Sequence, residues 1–61
     1  MRLLLEELIG TRVRIWSGAG PSEQSDEGVL EAFDGSCLRL KKTGGELLYF
    51  LVYSVRLVKA L

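Results

Sequence analysis

Histidine is absent from this 61-residue chain and cysteine occurs once, at Cys37. A catalytic triad, an imidazole base and a Cys/His metal site are therefore excluded, and no disulfide can form within one chain. Proline occurs once, at Pro21, and aromatic residues number five: one Trp, two Tyr and two Phe. The longest predominantly apolar run, Leu47–Val55, has nine residues, too few to cross a bilayer as a helix. No early apolar stretch reads as a signal peptide, because Glu6 and Glu7 interrupt it. A lone cysteine and no leader point to the cytoplasm. Neither a membrane nor a small-molecule substrate is expected as a partner, and neither a metal nor another cofactor. The GAGPS run at 18–22 lacks the Lys-Ser/Thr ending of a phosphate loop. With no nucleophile-and-base pair either, the chain is not read as an enzyme.

Net charge is also absent: eight basic residues balance eight acidic ones. The balance is segregated along the chain. Residues 17–34 hold Glu23, Asp26, Glu27, Glu31 and Asp34 with no Lys or Arg, whereas 35–61 hold Arg39, Lys41, Lys42, Arg56 and Lys59 against Glu46. A nucleic-acid surface on such a chain has to be local, made by folding the two signs apart.

The whole chain, 1–61, reads as a single domain. Residues 2–9 read as a short helix, with Leu4, Leu5, Leu8 and Ile9 on one side, Glu6 and Glu7 on the wet side, and Gly10 as its stop. Residues 11–16 alternate, with Val13 and Ile15 opposite Arg12, Arg14 and Trp16, as a half-buried strand does. Residues 17–27 hold almost nothing apolar and read as a loop. A second strand is expected over 28–34, opening on Gly28. Asp34-Gly35 is a turn signal, and 37–42 alternate again with Leu38 and Leu40 inward. Residues 46–60 form a long β-rich stretch that has to bend near Tyr53-Ser54, since an unbroken strand of that length would reach about 50 Å.

The segment 47–55 is apolar at almost every position, where a half-buried strand should alternate. A chain this short buries only about 60% of its unfolded surface and cannot cover both sides of that strand. Neighbouring copies are the expected cover, with Leu48, Tyr49, Phe50, Leu51, Val52 and Val55 as the candidate oligomer interface.

The order of elements resembles the Sm/LSm/Hfq superfamily over nearly the whole chain. Residues 3–15, LLLEELIGTRVRI, resemble its N-terminal helix and first strand. Residues 28–40, GVLEAFDGSCLRL, resemble the first Sm motif through Gly28, Leu30, Phe33, Asp34, Leu38 and Leu40. Residues 49–58, YFLVYSVRLV, resemble the second motif of short bacterial members. The resemblance implies a mainly β fold: a short N-terminal helix and a five-stranded, strongly bent SH3-like/Sm-like open barrel. It further implies a homo-oligomeric ring, hexameric or heptameric, with single-stranded RNA contacted at pore loops carrying Asp34, Gly35, Ser36, Tyr53, Ser54 and Arg56. The chain departs from the pattern at Gly35-Ser36-Cys37, where the asparagine of the motif is missing, and at Val52-Tyr53-Ser54, where an Arg-Gly or Lys-His pair is missing. A structural or protein-interaction ring with no RNA function is the alternative, and a monomeric SH3-like adaptor is a third reading.

Overall fold

A computed structural model describes residues 4–61. Five strands, β1 (Arg12–Ser17), β2 (Gln24–Phe33), β3 (Cys37–Lys41), β4 (Leu47–Leu51) and β5 (Val55–Ala60), form one antiparallel sheet in the order β4-β3-β2-β1-β5. Alternation in the sequence sets the faces. Val13 and Ile15 of β1, Leu30 of β2, and Leu38 and Leu40 of β3 are fully buried, and Phe50 of β4 closes the core beside them.

The sheet is curled, for a reason that follows from its order. β4 and β5 are its two edges, and a flat sheet would hold them about 19 Å apart, four spacings of about 4.8 Å. Only Val52–Ser54, one turn of 3-10 helix, joins them, and the steps from Leu51 to Val55 reach about 14 Å at full extension. Two backbone bonds tie this turn across the opening: Val52 N–H donates to Ser36 O at 2.8 Å, and Gly18 N–H donates to Ser54 O at 3.1 Å. Gly28, midway along β2, permits the close approach inside the curl. A Cβ there would stand 2.4 Å from the carbonyl oxygen of Lys41, a contact that only glycine avoids.

Two bulges shape the strands further. Opposite β3, the register of β2 passes from Leu30–Leu40 to Ala32–Arg39, leaving Glu31 as the extra residue. Opposite β1, β5 passes from Leu57–Trp16 to Val55–Ser17, leaving Arg56 extra. Each bulge resets the pleat, so that Leu30 and Phe33, and likewise Val55 and Val58, all pack on the core although they are three residues apart.

Two sequence expectations are corrected here. The N-terminal helix is a 3-10 helix over Leu4–Leu8, and no α-helix occurs among the described residues; positions 2 and 3 of the expected span 2–9 lie outside them. Two turns are too few to sustain an α-helix unaided, and the segment closes instead through Ile9 N–H to Glu6 O and Thr11 N–H to Leu8 O. The expected loop 17–27 is shorter, because β2 begins at Gln24 and β1 runs to Ser17. The polar residues 24–27 belong to a strand in which Gln24 and Ser25 are exposed and Asp26 and Glu27 meet charged partners rather than a core. Among the described residues no helix is long and apolar enough to cross a membrane.

Candidate functional site

The β2–β3 turn and the 3-10 turn between β4 and β5 come together at one end of the curled sheet, joined by the Val52–Ser36 backbone bond. Asp34 organises the first of them. Its Oδ1 accepts from the backbone N–H of Ser36 at 2.8 Å and of Cys37 at 2.9 Å, which is the Asx arrangement expected of aspartate ahead of a turn. The amide of Ser36, then that of Cys37, holds the Asp34 carboxyl below its ordinary value. Gly35 takes φ +96°, a conformation costly for residues with a side chain. In the second turn Ser54 Oγ donates to Leu51 O at 2.8 Å, and Tyr53 is 82% exposed. Asp34, Gly35, Ser36, Tyr53 and Ser54 thus share one end of the molecule.

Arg56 is different. It sits on the β5 bulge and its guanidinium is engaged by the Glu23 carboxylate. The acids of β2, Asp26, Glu27 and Glu31, are matched in the same way. Glu27 accepts from Arg14 at 2.8 Å and from Arg12 at 3.1 Å, and these two cations, Arg14 foremost, hold its carboxyl below the ordinary value. Lys42 Nζ lies 3.3 Å from Asp26. Glu31 stands 3.4 Å from Arg39 Nε, close enough for an ion pair but outside hydrogen-bond geometry, so that this buried nitrogen makes no hydrogen bond. β2 is therefore an acidic strand neutralised by its neighbours. Of the described cations, Lys41 and Lys59 alone have no ion-pair partner.

The second feature is the pair of free edges. Inside β4, Leu48 and Phe50 face the core; outside, Leu47, Tyr49 and Leu51 are exposed, Tyr49 to 63%. Of the six candidate interface residues, Tyr49 and Leu51 lie on this outer face. Phe50 belongs to the chain's own core, and Leu48, Val52 and Val55 pack against it. Leu47 and Leu57 are exposed apolar residues of the two edges that the sequence reading left out. Strict in-out alternation along β4, applied residue by residue, is the signal that would have found Leu47.

The phase of the backbone follows from the bonds at the strand ends. Lys42 N–H donates to Glu46 O at 2.8 Å and Val52 N–H to Ser36 O. By antiparallel alternation Leu48 and Phe50 then address β3, and Leu47, Tyr49 and Leu51 turn their N–H and C=O to the open edge. On the other side Leu61 N–H donates to Arg12 O at 2.9 Å. Leu57 and Lys59 therefore address β1, and Val58 and Ala60 turn outward.

A cavity of about 580 Å³ opens along β4, its lining including apolar Leu48 and Phe50 and polar Gln24, Asp26, Lys42 and Glu46. A smaller one of about 260 Å³ lies on the outer face among Ala32, Asp34, Cys37, Arg39 and Tyr49. Among the described residues no three His, Cys, Asp or Glu side chains gather where they could hold a metal ion. No family model, curated protein or solved structure matches this chain.

Proposed function

We propose that the chain is a ring-forming subunit of the Sm-like kind, its curled sheet serving as a strongly bent open barrel and its β4 edge pairing with β5 of the next copy. The observation that carries this reading is the unpaired β4 edge, whose outward side chains are Leu47, Tyr49 and Leu51. An apolar edge with free N–H and C=O groups is a template for another strand, and left open it would drive aggregation. Head-to-tail pairing of one edge on the other closes into a ring when the rotation allows, of six or seven copies by the family resemblance. A reducing, cytoplasmic setting suits the free Cys37.

For the ligand of such a ring, single-stranded RNA at the Asp34–Ser36 and Tyr53–Arg56 end is the reading that the resemblance suggests. An exposed Tyr53 offers a stacking face, a contact type worth about 1–3 kcal/mol per base elsewhere. The charge at that end favours the second reading, a protein-interaction ring with no RNA function. Asp34 is an anion, and Arg56, the cation of the set, is occupied by Glu23. Phosphate neutralisation is the main source of nucleic-acid affinity, and this end supplies little of it.

Filter binding with short U-rich and A-rich RNA at two salt concentrations separates the two readings. Binding that weakens steeply with salt supports RNA as the ligand; no binding at low salt removes it and leaves the protein-interaction ring. The assembly itself is tested by mass: a species near one chain's mass at micromolar concentration supports a monomeric SH3-like adaptor instead.

A further inference from the structure

We propose that Glu46 of one copy forms an ion pair with Lys59 of the next, and that this pair fixes the register in which β4 and β5 join. The inference rests on the assembly reading above and takes a second copy of this chain as the occupant of the edge. It starts from the free backbone groups. On β4 they belong to Leu47, Tyr49 and Leu51, which are outer-face residues; on β5 they belong to Val58 and Ala60, of which Val58 packs on the core. In an antiparallel ladder, opposed residues both offer free groups and point to the same side. The outer side of β4 must therefore continue into the core-facing side of the neighbour's β5. Conversely, the inner side of β4, with Glu46 and Leu48, continues into the outer side of that β5, with Leu57 and Lys59.

Four registers set Leu47, Tyr49 or Leu51 opposite Val58 or Ala60 in this parity. In the two that set Leu51 opposite Val58 or Ala60, Lys59 falls on Phe50 or Val52, a charge against an apolar side chain. With Leu47 opposite Val58, the flanking pairs are Glu46 with Lys59 and Leu48 with Leu57: charge meets opposite charge and leucine meets leucine. With Leu47 opposite Ala60, Lys59 falls on Leu48 and Glu46 on Leu61, which strands both charges against apolar side chains. Opposite charges facing across strands are favourable and stranded ones are not.

The charges of one copy point the same way. Lys59 has no ion-pair partner among the described residues, and its cross-strand neighbour on β1 is Arg14, a like charge. Glu46 is exposed in the lining of the larger cavity and has no ion-pair partner there, Lys42 being paired with Asp26. A neighbour's carboxylate beside Lys59 relieves the repulsion from Arg14.

The test is self-association of the full chain by sedimentation at low salt, for wild type, E46K, K59E and the double swap E46K/K59E. Each single reversal is expected to weaken association about five- to tenfold per interface, the scale of an exposed pair lost and replaced by a like-charge contact. The double swap restores association to within about twofold. Mixing the two single variants also restores it wherever unlike variants adjoin, at every interface of an even ring and at all but one of an odd ring. Raising the salt shrinks all these differences. Single variants that associate as wild type does, or a double swap no better than the weaker single, overturn the ion pair while leaving assembly standing. A wild-type chain that stays monomeric overturns the assembly reading itself.

Discussion

β3 and β4 lie side by side and present the core with the same material, Leu38 and Leu40 from one and Leu48 and Phe50 from the other. Their outer faces differ. β3 shows Cys37, Arg39 and Lys41; directly opposite, β4 shows Leu51, Tyr49 and Leu47. A strand with neighbours on both sides carries charge outward and needs only water there. The edge strand has an unpaired ladder and an apolar outer face together, the combination that natural edges avoid unless something covers them. The inner residues of both strands hold one copy together, and on the assembly proposed above the outer residues of β4 meet another.

The largest effect in this comparison belongs to the shared interior. Leu38→Ala should lower subunit stability by about 2–5 kcal/mol, read from urea unfolding, because Leu38 is fully buried and packs among Ile15, Leu30 and Phe50. So small a domain has little more than that to lose. Gly28→Ala comes next. Its added methyl meets the Lys41 carbonyl oxygen, a backbone atom, and the forced shift should cost about 1–3 kcal/mol, visible as a lower thermal midpoint.

The outer face should behave oppositely. Tyr49→Glu is expected to leave the stability of the folded chain within about 0.5 kcal/mol, as exposed substitutions do, and, on the proposed assembly, to lower the mass read by light scattering to that of one copy. If the same change unfolds the subunit and spares its mass, Tyr49 belongs with Leu38 and the contrast between the strands is lost. The smallest effect is a pH response at the β2–β3 turn. The folded carboxyl of Asp34 is held below its ordinary value, so its contribution is complete above that ordinary value and fades as pH falls through the depressed one. Protection of the Ser36 and Cys37 amides, measured against the intrinsic exchange rate at each pH, should fall in that acid range, and Asp34→Ala should show the lower protection at neutral pH as well.

Much of this contrast is legible in the chain itself. Alternation at Val13–Ile15 and Leu38–Leu40 marks β1 and β3, and its failure over 47–51 marks the greasy edge. The bend between β4 and β5 follows from length alone, within a residue or two of Val52–Ser54. The start of β2 was hidden, because Gln24–Glu27 look like loop until Arg12, Arg14 and Lys42 are placed beside Asp26 and Glu27. The bulges at Glu31 and Arg56 were hidden too, although apolar residues three apart inside a strand, Leu30 with Phe33 and Val55 with Val58, are their trace. The occupation of Arg56 by Glu23 joins residues 33 apart in the chain, and only the folded sheet brings them together.

The measurement that bears most directly on the account is the mass of the dissolved chain at micromolar concentration, by light scattering or sedimentation. A value six or seven times the 6.8 kDa of one copy is the expected result. A dispersed species with the mass of a single copy, its Tyr49 edge open to water and stable on standing, would contradict it.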